Sequence, residues 1–198
     1  MITLGIIDVV AAMTIPNLIA KINFIALKAQ FKKEYSQIQS TLKLMNEDGE
    51  FACYREVGTG NTYNNSECVQ FWEQFLSYRK ESLVCKAGDY TCRPKYKTRV
   101  ELLAEGATTS TSYCSLNTND YEAHVMLNGV IYYLWRNQVF PNYFVVDVNG
   151  KAGPNKYGYD VFYLTLYKDI RSDKPVQVKQ DLCWIIEKGG YNFDEMLK

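Results

Sequence analysis

Histidine is nearly missing from this chain: His124 is the one imidazole in 198 residues. With no second histidine and no Gly-x-Ser-x-Gly turn, a serine or cysteine triad would need unusual partners. His124 itself lies in an apolar run, which suits a structural sheet residue better than a general base. No Gly-rich loop follows a strand where phosphates could be cradled. No pair of carboxylates is signalled for acid–base work, and the chain reads as a non-enzyme. Cys-x-x-Cys is also absent, so the ligand spacing of a zinc site is missing. Charge of one sign is not in excess, Lys+Arg and Asp+Glu both numbering 22, and bulk charge gives no reason to expect nucleic acid. Finally, no Lys or Arg precedes Lys21. The opening therefore lacks the basic start of a cleaved secretory signal.

What is present begins at the N-terminus. Ile2, Leu4, Gly5, Ile6, Ile7, Asp8, Val9, Val10, Ala11, Ala12, Met13, Ile15, Pro16, Leu18 and Ile19 make a run with a single formal charge, Asp8. As a helix rising 1.5 Å per residue, residues 2–20 would cover roughly 28 Å, close to a hydrocarbon core. After Lys21 the apolar side chains thin into a stripe, Phe24, Leu27, Phe31, Tyr35, Ile38, Leu42 and Met45. Steps of three and four are the period of one helix face. Lys28, Gln30, Lys32, Lys33, Glu34, Gln37, Gln39 and Lys43 are read as the solvated face, and Gly49 as a C-terminal cap. The expectation is one helix of about 45 residues, apolar all round at first and amphipathic later. Residues 1–20 form its membrane or assembly half. Residues 21–198 form a globular head that includes the amphipathic half. Pro16 predicts a bend or local loosening. Asp8 has two readings: a functional carboxylate at membrane depth, or one lying near the lipid surface.

The six cysteines all follow the helix. An even count behind an export-directed start favours an oxidising compartment and three disulfides, although six cysteines allow fifteen connectivities. Cys85 and Cys92 enclose a short turn-forming loop, Cys53 and Cys68 flank a Gly/Asn-rich one, and Cys114–Cys183 follows by elimination. A helix is expected from about Ser66 to Arg79, started by Asn64 with Glu67 three residues on. The stretch 81–115 is polar and turn-rich and reads as a surface insertion. Then come strand signals: Glu122–Leu127 and Val130–Trp135 around Asn128-Gly129, a turn with positive φ at both central residues. Asn142–Val148, Val161–Tyr167 and Val176–Lys179 continue an antiparallel meander with one face packed on the helix. Cys183–Ile186 is apolar, and Asn192 with Glu195 suggests a short capped helix. The fold class is α+β, a long N-terminal helix on an antiparallel sheet with a disulfide-stapled head. Sixteen tyrosines suit an extracellular surface rich in contact-capable side chains.

Between the third and fourth of these strands, Asp147, Asn149, Asn155 and Asp160 stand in a glycine-rich loop. Their oxygens are of the type that Ca²⁺ takes, six to eight at a time, on a tightly turning chain. The EF-hand pattern fails, because Lys151 falls at the fifth loop position and Gly158 at the twelfth. The other reading is a structural loop in which Asx side chains cap backbone N–H groups. Both stand at this point.

The string Ile-Thr-Leu-Gly-Ile-Ile-Asp-Val-Val-Ala-Ala-Met-Thr-Ile-Pro-Asn-Leu-Ile, residues 2–19, resembles the N-terminal segment of type IV pilins and type II secretion pseudopilins. The Asp-x-Asn-Gly…Gly-Pro-Asn…Gly-x-Asp loop is similar to one found in such proteins, and several pseudopilins hold calcium there. Residues 53–121 carry no likeness. The family's basic leader, its Gly-Phe-Thr-Leu-x-Glu start and its acidic residue near the mature N-terminus have no counterpart here, and Asp8 is not put in their place. The chain opens inside what would be the family's helix, so the resemblance expects either a start further upstream or a protein that is not processed. The resemblance implies a structural subunit of a pilus or pseudopilus. Its head would lie in the periplasm or outside the cell, on a single pass through a bacterial inner membrane. Its partners would be copies of itself, other pilin-like subunits, the inner-membrane assembly platform and lipid. Calcium is the one cofactor implied. The competing expectation is a membrane-tethered, adhesin-like binding module on the cell surface.

Overall fold

The computed structural model describes the backbone of residues 2–48, 53–57, 63–64, 66–110, 117–134 and 142–198, and their side chains except those of 2–17, 20, 48, 57, 63 and 64. One helix, α1, runs Ile2–Asp48 without a break over 47 residues, a rod of about 70 Å. Its second half is seated on the head by the stripe expected from the spacing. Leu27, Phe31, Ile38, Leu42 and Met45 are buried, with Phe24 and Tyr35 half-buried beside them. Phe31 packs against Phe162 at 4.4 Å and edge-on to Phe193 at 5.6 Å between ring centroids. The expectation fails at Glu34, which is 3 % exposed rather than solvated. Position 34 lies three residues after Phe31 and four before Ile38, so the helical period itself turns it toward the head.

The head begins with a hairpin in a stretch that reads as loop, β1 Tyr54–Val57 and β2 Tyr63–Asn64. Helix α2, Cys68–Arg79, follows; its N-cap is Glu67 with no side-chain cap bond, not the Asn64 start expected. Its aromatic face buries Phe71, Trp72 and Phe75, and Trp72 meets Phe144 at 5.2 Å. Next come β3 Glu81–Cys85, α3 Arg99–Ala104, β4 Thr108–Thr109, β5 Glu122–Met126 and β6 Ile131–Leu134. The chain ends with β7 Tyr143–Asp147, β8 Val161–Asp169, β9 Gln177–Gln180, β10 Ile185–Ile186 and α4 Phe193–Leu197. The Asn192–Glu195 capping box that opens α4 is as expected.

An eight-stranded sheet has the order β2-β1-β8-β7-β6-β5-β3, with β9 also paired to β8. The consecutive strands β5 to β8 form the antiparallel meander. The sheet is not antiparallel throughout, since β1 runs parallel to the end of β8. That end is shared out along its length. Thr165 pairs with Tyr143 of β7 and Lys179 of β9, whereas Tyr167 pairs with Arg55 of β1 and Gln177 of β9. The β5–β6 turn also differs from expectation: positive φ occurs at Gly129 and not at Asn128. Gly129 N–H donates to Met126 O and Met126 N–H to Val130 O, at 2.9 and 2.8 Å, the pattern of a three-residue loop with its left-handed residue at glycine.

The sheet is buried on both faces, where one had been expected. Tyr132, Leu134, Phe144, Val146, Phe162 and Leu164 join the cluster that includes the α1 stripe. Their alternating neighbours Ile131, Tyr133, Val145 and Tyr163 join a second cluster with Tyr96, Leu102 and Ile185. Much of that second cover comes from residues 81–110, joined by Tyr157 and Ile185, so this stretch is not a loose insertion. It supplies edge strand β3, the helix α3 and the small β4–β10 pairing. Arg93 and Tyr96 are among its fully buried side chains. Six of the tyrosines are not contact surface: Tyr96, Tyr132, Tyr133, Tyr143, Tyr157 and Tyr163 are core residues.

Cys53–Cys68 and Cys85–Cys92 are bonded as expected. Cys183 is also disulfide-bonded, while Cys114 of the expected Cys114–Cys183 pair lies outside the described residues, as does Gly49. Replacing Phe31 by Ala should lower unfolding free energy by about 3–5 kcal/mol, because it opens a cavity where helix meets sheet. Replacing Cys53 and Cys68 together by Ala should cost about 3 kcal/mol for a loop of this length. The first is read from the denaturant midpoint at unchanged slope, and the second with its own slope, since loss of the cross-link expands the unfolded chain.

Candidate functional site

The loop after β7 brings its four expected residues into one knot. Asp147 ends β7 with no exposed surface. Its Oδ1 accepts the N–H groups of Asn149 at 3.2 Å and Gly150 at 2.7 Å. Its Oδ2 accepts the Tyr96 hydroxyl at 2.6 Å. The Asn155 amide, turned so that its nitrogen faces acceptors, donates to the same Oδ2 at 3.2 Å and to Gly150 O at 2.7 Å. Asp160 closes the loop from the other end, accepting the N–H groups of Asn155 and Lys156 at 2.7 Å each. Asn149 donates to Gly153 O at 2.5 Å. These are Asx turns, in which short polar side chains stand in for backbone partners.

Two glycines let the knot dock on its neighbours. Gly150 has φ +55°, and a Cβ there would stand 2.2 Å from Gly129 O of the β5–β6 turn. Gly158, at φ +82°, would bring a Cβ within 2.8 Å of Ile186 Cγ2. Neither position has room for a side chain, and both use the left-handed region that glycine enters without penalty.

The electrostatics follow from burial. Asp147 is pushed up to about 8, first by desolvation and then by the nearby Asp160 carboxylate, against the lowering effect of Tyr96 and the two N–H donors. Asp160 is also raised, mainly by burial. Burial and the Asp147 charge drive Tyr96 well above its ordinary range. The arrangement does not fit a calcium sphere. Its carboxylates spend their oxygens on N–H and O–H donors, whereas Ca²⁺ needs six to eight free ones. Among the described residues, no group of three or more His, Cys, Asp or Glu is placed to hold a metal ion.

His124 sits on β5, buried, with its Nδ1 against Glu81 Oε1. Nothing in the sequence pointed to Tyr96 as a partner of Asp147, since 51 residues separate them. Arg93 was equally hidden: its guanidinium donates to Thr118 O at 2.7 Å and to Tyr121 O, and lies 4.6 Å over the Tyr133 ring. These contacts fasten the second cover to the sheet.

The remaining candidate surface is on α1 before its seat. Leu18, Ile19, Ile22 and Ile25 are each more than half exposed, from 52 % to 58 %. Residues 2–17 continue the same helix. Among the described residues no helix is long and apolar enough to cross a membrane, and the side chains of 2–17 fall outside that description.

No family model, curated protein or solved structure matches this chain.

Asp147 and Asp160 bind protons more tightly folded than unfolded. Their contribution to stability is therefore complete below the ordinary carboxylate range near pH 4 and is lost as pH rises through about 8 for Asp147. The thermal midpoint of Asp147→Asn should accordingly vary less between about pH 5 and pH 8 than that of the unaltered chain. Gly150→Ala should cost more than about 2 kcal/mol through strain and the clash with Gly129 O, read by denaturant unfolding.

Proposed function

We propose that this chain is a structural subunit of a pilin-like filament, a type IV pilus or a type II secretion pseudopilus. One observation carries this reading: a single helix is seated on the head over its second half, and the described stretch just before that seat carries exposed apolar side chains. From Leu27 onward the stripe of Leu27, Phe31, Ile38, Leu42 and Met45 is buried in the head, while Leu18, Ile19, Ile22 and Ile25 stand exposed on the same continuous helix. A monomeric head does not need such an extension. An apolar helix that leaves its own globule buries itself against lipid, against copies of itself, or against both in turn. Gly5, Ala11 and Ala12 are small residues of the kind that let helices approach closely in lipid. The first half of α1 holds the subunit in a bacterial inner membrane until assembly. The head then forms the outer shell and the contacts with neighbouring subunits and the assembly platform.

The test is a photo-crosslinking residue at position 22 of the whole chain in the producing cell. The expected product is a ladder of crosslinks to its own copies or to other subunits with similar helices. Ile19→Lys with Ile25→Lys should abolish the ladder and leave the melting of the head within about 1 °C, since both side chains are exposed. A crosslink to lipid alone, with the double variant behaving as the parent does, would favour the tethered binding module instead.

A further inference from the structure

Among the described residues, the buried charged residue in the seat of α1 is Glu34, and its partners lie outside the helix. Glu34 Oε1 accepts Arg79 Nη2 of α2 at 2.5 Å and the Tyr132 hydroxyl of β6. Arg79 Nη2 also donates to Gln37 Oε1 at 3.1 Å, and the guanidinium carbon lies 5.9 Å from the Tyr132 ring centre. Glu34 and Arg79 side chains are 3 % and 9 % exposed, and Tyr132 is fully buried. The other polar residue buried in this half of the rod, Thr41, bonds its own helix at Gln37 O, 3.0 Å. Its bond travels with the helix and says nothing about where the helix sits.

The apolar stripe says little more. Its residues recur every three or four positions, so moving α1 along its axis by one turn places each in the seat of the next. Large apolar groups replace large apolar groups: Leu27 for Phe31, Tyr35 for Ile38, Leu42 for Met45. Hydrophobic burial depends on area rather than identity and discriminates poorly between such positions. One-turn ratchets of about 5.4 Å between packed elements are a known form of conformational change. Glu34 breaks the repeat. A one-turn move in one direction brings Gln30 or Phe31 to its place, and in the other direction Gln37 or Ile38. None of these carries a negative charge, so Arg79 would be left buried beside no anion, an arrangement strongly disfavoured.

We propose that the Glu34–Arg79–Tyr132 triad is a register lock, selecting one axial position of the rod on the head against a slide of one helical turn. Buried ion pairs contribute little net stability against apolar replacements of similar size, and specifying register is their best-attested use. The lock is independent of what the rod assembles with.

The experiment measures distances on the whole chain in detergent micelles. Nitroxides are carried by genetically encoded ketone residues at the exposed positions Ser40 and Gln70, then at Ser40 and Asp194. The unaltered chain should give one narrow distance for each pair. The apolar replacement, Glu34→Leu with Arg79→Met and Tyr132→Phe, should keep its helical circular dichroism and melt no lower. It should add a second distance, displaced by roughly 5 Å in at least one pair. The neutral pair Glu34→Gln with Arg79→Gln should do the same to a lesser degree. A single distance at the original value in whichever variants fold overturns the proposal. So does the unfolding of both variants, because the triad would then be holding the helix on rather than choosing its position.

Discussion

Everything in this head is arranged to cover one seam, the line where the second half of α1 lies on the sheet. Phe31, Ile38, Leu42 and Met45 occupy it from the helix, and Tyr132, Phe144, Val146, Phe162 and Leu164 from the strands. The seam closes only because α2 and α4 flank it. Trp72 and Phe75 fill one side, the latter edge-on to Tyr132 at 5.4 Å, and Phe193 fills the other. Burial of this many large side chains is worth far more than the intrinsic helical preference of the segment. The second half of the helix is therefore held against the head by tertiary contact, and the helix continues unbroken to Ile2 beyond that seat.

The far side of the sheet obeys a different logic. There the cover is polar as well as apolar. Tyr96 reaches Asp147 and the Tyr133 hydroxyl, the latter at 2.8 Å, and Tyr157 donates to Thr118 at 2.7 Å while stacking on Tyr163 at 5.3 Å. Asn119 holds the Tyr96 backbone at both ends, at 3.0 and 2.8 Å. Such a layer is specified by direction as well as area, since a buried hydroxyl left without a partner is costly. It explains how a segment of low hydrophobicity can lie flat on a sheet. It also explains why Asp147 is a keystone: the carboxylate joins the end of β7, the loop to Asp160 and the cover carrying Tyr96.

Legibility from sequence followed the range of the interactions. The α1 stripe, α2 from Cys68 to Arg79, the β5 to β8 strands and the α4 cap could be read because each depends on neighbours three or four residues away, or two apart in a strand. Glu34 is turned inward by the same period, although its charge by itself points to exposure. β1 was not legible, since beyond its two pairings with β2 it is completed by lying parallel to Tyr167–Asp169, more than a hundred residues on. The same holds for β3, whose edge position is set by β5, and for Arg93 and Tyr96, whose partners are Thr118, Tyr121, Tyr133 and Asp147. The loop at 147–160 was located from its residue types, but those types suit a cation cage and a set of Asx turns alike. In the folded chain the carboxylate oxygens accept N–H and O–H donors, as a set of Asx turns requires.

Taken alone, the order of residues determined where the helix runs, which of its faces is apolar, which strands form the meander and which short loops two of the disulfides close. These are consequences of local period and chain proximity. Only the folded chain decided that the sheet is buried twice, that a glutamate belongs in the seam and that six of the tyrosines are interior. Each of those depends on what a distant segment brings to the other side of a contact, and local sequence carries no record of that.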